Sequence, residues 1–231
     1  MSFAAYNGVR QITINSCAAF SMAAALHHFG LTRLPHLLDT DNLAAGYTMP
    51  GAHAFAQDIY QITGNLFLDL TNNAATYRYG IPVSDRNSFS ALTYVASQFG
   101  LSADRIKVHY NQAAEHSLNL LQVTNPTGKG SKANLLQVET DLITGPPYAK
   151  VAGPVDYAQT PRNGEAHLLI VSQFMHSIVI NETECYDPGT GYVGPYTTDV
   201  IPGRSHLTEI TYRHHGLPVH LPFSGFWMQM S

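Results

Sequence analysis

The chain changes its backbone preference at Gly145-Pro146-Pro147. Before that break, apolar residues recur at helical spacing; after it, β-branched and aromatic runs alternate with Gly, Pro, Asn and Thr clusters. Helices first and strands later predicts an α+β fold with segregated layers. The clearest helical segment runs from Asn15 to Gly30. Asn15 or Ser16 can cap it, the alanines supply helix propensity, Gly30 can close it, and Met22, Leu26 and Phe29 fall on one stripe. Further helices are predicted around Phe55, Ile59 and Ile62, from Ser88 to Phe99, and from Ala133 to Ile143. Tyr148 to Ala152, Ala166 to Phe174, Ser177 to Tyr186 and Leu207 to Arg213 read as strands of one antiparallel sheet.

With 231 residues the expected organisation is one domain, 1–231. Charged residues make up 12% of the chain, about half the ~25% usual in a soluble domain, while hydrophobic residues make up an ordinary 45%. That balance excludes a disordered chain. The net charge of -4 and the lack of a basic run remove the electrostatic footprint of a nucleic-acid or anionic-membrane binder. Apolar stretches fall short of the ~18 residues of a membrane span. No basic-then-apolar leader is visible at the N-terminus, and two cysteines, Cys17 and Cys185, are too few for a disulfide framework. The expectation is a cytoplasmic protein, or one exported without a visible N-terminal signal peptide.

Cys17 lies in the first turn of the best-defined helix, where unpaired amides and the helix dipole favour a thiolate. The alternative is a buried thiol used as core filler in an alanine-rich helix. His167 opens the apolar run Ala166 to Val171, and Asp187 ends the next run at Asp187-Pro188-Gly189. If those two strands pair as a hairpin around Met175-His176, the His167 ring and the Asp187 carboxylate emerge near one end, given a bulge or register offset. Cys17, His167 and Asp187 would then be nucleophile, base and orienter. Gln11, six positions before Cys17, is a candidate oxyanion donor together with the Cys17 amide, or else a loop glutamine on the surface.

Gln11, Cys17 opening a helix, Gly145-Pro146-Pro147 before a strand, His167 starting a strand and Asp187-Pro188 ending the next together resemble papain-like cysteine peptidases. Within that superfamily the chain is most similar to the bacterial peptidase C39-like group and to cysteine-protease effectors of plant pathogens. The resemblance implies a papain-like fold, with the N-terminal helix carrying the cysteine packed on a C-terminal antiparallel sheet. It implies a catalytic set of Cys17, His167, Asp187 and Gln11, no cofactor, and a peptide or protein substrate cleaved through an acyl-enzyme. A segment at about 31–85 would be an insertion or a substrate-recognition element. A peptidoglycan stem-peptide amidase, an acyl transferase on the same site, and a binding module with an inert buried cysteine are the alternatives.

Other constellations point to less chemistry. His27-His28, His206 and His214-His215 lack metal-ligand spacing with a carboxylate or thiol, so they read as solvated or core histidines. Cys185 reads as a buried structural thiol, with a masking disulfide to Cys17 as the alternative. Gly128-Lys129-Gly130-Ser131-Lys132 lacks phosphate-loop order and reads as a loop. The tyrosines at 60, 77, 79, 186 and 192 read as packing residues rather than as a peptide cleft.

Overall fold

The computed structural model describes residues 2–31, 51–79, 85–126, 130–200 and 206–231. The expected insertion at about 31–85 and the loop at Gly128 therefore lie partly outside the described residues. After a single helical turn at Ala4–Tyr6, the chain runs through α1 (Cys17–His28), α2 (Ala52–Thr63), β1 (Leu66–Asp69), β2 (Ala74–Tyr77), α3 (Phe89–Gln98), β3 (Ile106–Tyr110), α4 (Gln112–Asn119), β4 (Gln122–Thr124), β5 (Lys132–Asn134) and α5 (Leu135–Thr144). Next come β6 (Lys150–Ala152), β7 (Ala166–Val171), β8 (His176–Ile180), β9 (Cys185–Asp187), β10 (Tyr192–Gly194), β11 (Thr197–Val200), β12 (Leu207–His214) and β13 (Leu217–Met230).

The fold is mixed α and β, with strands of both orientations. The main sheet has the order β10-β9-β8-β7-β13-β12-β11, and β3 joins it through β13. Its pairs are antiparallel except that β6 lies parallel to β3, which corrects the expectation of one purely antiparallel sheet. The strands are also less segregated than the sequence suggested. A second sheet, β1-β2-β4-β5, is built from the first part of the chain, between the helices.

α1 departs from the expected single apolar stripe. Every residue of it except His27 is buried. Alanine explains this: with one methyl per residue, α2, α3 and the main sheet can approach from several sides, and the helix becomes an internal post. Gly30 ends it as expected, at φ +74°, with its amide on the His27 carbonyl and the Leu31 amide on the Leu26 carbonyl. The start differs. Asn134, Ser88 and Asn111 cap α5, α3 and α4 through their side chains, but Ser16 makes no such bond to α1. Its hydroxyl turns back to the carbonyl and amide of Thr13 instead.

The main sheet is buried on both faces. Ala166, Leu168 and Ile170 of β7 join the core beneath the helices, with Ala19, Met22, Leu26 and Met228. Leu169 and Val171 alternate to a second core with Ile178, Ile180, Cys185, Tyr212 and Trp227. β13 is long enough to serve both halves of the sheet. Its first residues pair with β12, and its last pair with β7 and β3, with a register break between Phe223 and Trp227. Gly225 sits inside that break at φ +84°, and a Cβ there would lie 2.0 Å from the Asn111 Oδ1 that caps α4. Gly225→Ala is therefore expected to lower stability by at least ~1–3 kcal/mol, read as a reduced urea midpoint at unchanged slope.

Candidate functional site

Three hydrogen bonds to backbone carbonyls, two from amides and one from a guanidinium, bring the segment before α1 against the turn after β9. The Gly8 amide donates to the Gly191 carbonyl (2.8 Å), the Gln11 amide to the Pro188 carbonyl (2.9 Å), and Arg10 Nε to the Thr190 carbonyl (3.0 Å). Farther along, Ser21 Oγ donates to the Ser177 carbonyl (3.3 Å), so α1 is fixed to the start of β8 one turn beyond Cys17. The start of the cysteine helix, the start of β8 and the end of β9 thereby meet at one place.

The residues that meet there are Cys17, His176 and Asp187. The Cys17 thiol is hydrogen-bonded to the His176 ring and to Ser177. His176 Nε2 lies 2.7 Å from Asp187 Oδ1, which leaves Nδ1 as the ring nitrogen for the sulfur. Asp187 Oδ1 also accepts the Gly189 amide (2.7 Å), and Oδ2 accepts the Tyr212 hydroxyl. Tyr212 is held by Thr190 (3.0 Å) and by stacking on Tyr192. Gly189 is packed against the pair: a Cβ there would lie 3.1 Å from Asp187 Oδ1 and 3.2 Å from His176 Cε1.

The histidine beside Cys17 is therefore His176, and the expectation that places His167 there is corrected. The register pairs His167 with Ile180, at the opposite end of the hairpin from the Ser172–Met175 turn. Its ring lies on the second-core face, with Nδ1 2.7 Å from the Tyr157 hydroxyl. Burial, helped by the charge of His109, pushes its pKa down to about 3, too weak a base to take a thiol proton near neutrality. The sequence reading failed at residues 177–186, taken as one strand. Asn181 Oδ1 accepts the amides of Thr183 and Glu184 (both 2.9 Å), so the chain reverses there and carries Asp187 back to His176. The polar run Asn181-Glu182-Thr183-Glu184 was the signal available in the sequence.

Gln11 is not placed as an oxyanion donor. Its Nε2 donates to the carbonyls of Thr13 (2.9 Å) and Ile14 (3.3 Å), so it shapes the loop leading into α1. The backbone amides of the first turn of α1 have no partner inside the helix, and Ser16 does not cap them. Cys185 lies in the second core as a free thiol that burial pushes up, and no disulfide joins it to Cys17. Among the described residues, no group of three or more His, Cys, Asp or Glu side chains is placed to hold a metal ion, and no helix is long and apolar enough to cross a membrane.

The electrostatics of the three groups are mutually consistent. Burial alone would push the Cys17 thiol up, but the hydrogen bond and charge of His176 and the bonds from Ser177 hold it below its ordinary value. Burial alone would push His176 down, but Asp187 and Cys17 hold it well above its ordinary value. Asp187 is likewise kept low, against burial, by His176, Tyr212 and Gly189. The directions of these shifts favour a thiolate beside an imidazolium over the neutral pair. The turn that presents His176 is unusual. Ser172, Gln173 and Phe174 all have positive φ (53°, 57° and 66°), a run that side chains other than glycine rarely adopt. Arg86 Nη1 to the Phe174 carbonyl (2.7 Å) and the Phe174 amide to Ser224 Oγ (3.0 Å) hold it in place.

No protein-family model, curated protein or solved structure matches the chain.

The rate of Cys17 alkylation by iodoacetamide is expected to rise with a midpoint well below the ~8.5 of a free thiol. Tyr212→Phe removes a donor from Asp187, weakens its hold on the imidazolium, and is expected to move that midpoint up by about half a unit to one unit. A midpoint at the free-thiol value in the unmodified chain would contradict the ion pair.

Proposed function

We propose that the chain is a cysteine hydrolase of the papain-like kind, acting on an amide bond of the peptide or isopeptide class through Cys17, His176 and Asp187. The observation that carries this reading is the continuous hydrogen-bonded series Cys17, His176, Asp187, Tyr212, set where an uncapped helix start supplies amides.

The chemistry follows from the groups present. The Cys17 thiolate attacks the carbonyl carbon; a carbon–sulfur bond forms and an electron pair moves onto the oxygen. The amides at the start of α1 receive that charge, the role of an oxyanion hole. The carbon–nitrogen bond then breaks as the His176 imidazolium gives its proton to the departing amine, leaving a thioester on Cys17. Water attacks the thioester while His176 takes its proton, and the carbon–sulfur bond breaks to release the carboxylic acid and restore the thiolate–imidazolium pair. Asp187 holds the ring in one orientation and supports its positive charge at both proton transfers. Gln11, Tyr212 and Gly189 act through other groups and are positioning residues.

Incubation with p-nitrophenyl acetate is expected to leave an acetyl adduct on Cys17, seen by intact-mass measurement, and to release nitrophenol. His176→Ala should slow that release by ~10²–10⁴-fold and Cys17→Ala should abolish the adduct. His167→Gln, in a different core, should keep the reaction. Loss of the reaction in His167→Gln with its retention in His176→Ala, in folded chains, would overturn the assignment. A slow, unselective thiol in the unmodified chain would leave the non-catalytic reading.

A further inference from the structure

Beside the sulfur opens a cleft of about 360 Å³ with Cys17 and His176 in its wall. It runs between the β7–β8 turn on one side and the small sheet with α4 and α5 on the other. Its walls are aliphatic, with Leu66, Leu68, Leu118, Leu121, Leu135 and Leu136 among them. We infer that this cleft binds a long aliphatic acyl chain, so that the carbonyl presented to Cys17 is that of a fatty acyl group. This inference rests on the hydrolase reading above and specifies the acyl half of its substrate.

Two further observations support the choice. The first is the rim: Ile14, Leu70, Leu120 and Met175 line the cleft and are 74%, 59%, 55% and 47% exposed. Large apolar side chains gathered at a mouth, rather than scattered, mark a surface that an apolar ligand covers. The second is the state of four polar groups in the wall, which Asn15, Asn73 and Gln173 also line. Arg86 is spent on the Phe174 carbonyl and Met175, Asn87 on the Asn15 carbonyl (2.7 Å) and Thr63 (2.5 Å), and Ser117 on the Ala113 carbonyl (3.0 Å). Glu139 receives the Ser90 amide (2.7 Å), the Ser90 hydroxyl (3.1 Å) and the Tyr77 hydroxyl, and burial pushes its carboxyl up. With these four engaged, the wall leaves a peptide few donors and acceptors for its backbone, Asn73 and Gln173 among them, whereas a methylene chain needs none.

In the step implied, the Cys17 thiolate takes the acyl group, the carbonyl carbon loses its bond to nitrogen or sulfur, and the departing amine or thiol leaves with the proton from His176. Water then releases the fatty acid as described above. An amide-linked and a thioester-linked chain share this acyl chemistry.

The test uses the full chain carrying Cys17→Ser, titrated with the fluorescent fatty acid dansyl-undecanoate and competed with carboxylates of increasing length or with N-acetyl-leucinamide. The expected result is saturable binding displaced by decanoate, with competitor affinity rising up to about fourfold per methylene. Leu70→Asp with Leu120→Asp, both exposed at the rim, should weaken binding by at least ~10-fold with the circular dichroism spectrum unchanged. Absence of saturable binding, or displacement by N-acetyl-leucinamide and not by decanoate, overturns the inference. Turnover of decanoyl thioester against Nε-decanoyl-lysine by the unmodified chain then separates the two linkages. Binding is read without catalysis, so an unreactive Cys17 in a chain that binds decanoate would sink the hydrolase reading alone.

Discussion

The hydrogen-bonded contact of His176 with Asp187 is the constraint on which the site depends, because it holds a buried carboxylate and a largely buried ring that neither could sustain alone. A buried carboxylate without a partner costs several kcal/mol, and removing one member of such a pair typically costs ~3–5 kcal/mol. Asp187 meets that demand with three donors: a ring nitrogen, a backbone amide and the Tyr212 hydroxyl. Each comes from a different segment. The carboxylate consequently fixes where β8, the turn after β9 and β12 stand relative to one another, and the ring orientation offered to the sulfur follows from it.

α1 contributes the other half of the geometry by being almost wholly buried. A helix with one apolar stripe can rock about its axis, but a post packed on several sides cannot. Cys17 is thus held at a fixed height over β8, with Ser21 bonded to Ser177 as a second point of attachment. The start of the helix lacks a side-chain cap, and Ser16, the natural candidate, instead braces the preceding loop through Thr13. A side-chain cap of that kind would claim an amide that the first turn of α1 otherwise leaves without a partner inside the helix.

The helices were largely legible because their periodicity and caps are local: α3 and α5 begin and end within two residues of the expected positions. Much less of the sheet was legible. β13, the strand that joins both halves of the sheet, carries Pro218, Pro222 and Gly225 and shows no sustained alternation. It gains strand structure from partners on both sides, which is tertiary information. The small sheet, with strands of three or four residues, leaves almost no local pattern. At the site, the helix-borne thiol and the carboxylate at Asp187-Pro188 were visible as local features. The histidine was not, because choosing between His167 and His176 requires the turn at Asn181, and a misplaced reversal sends Asp187 to the wrong end of β8.

The contrast between those two histidines shows how far environment decides role. They lie at opposite ends of one hairpin, both largely out of water. His167 faces an apolar core, with a phenol on Nδ1 and the Glu165 carboxylate 3.7 Å from Nε2, and burial, helped by the charge of His109, outweighs that carboxylate and keeps the ring neutral. His176 is placed between a carboxylate and a thiol, and the same burial is outweighed by two groups that gain from its charge. Loss of the Asp187 carboxylate would remove a group that raises His176, and with it part of what holds Cys17 below its ordinary value. The surroundings of the sulfur therefore depend on a residue two contacts away, Asp187, and on where the chain turns back on itself.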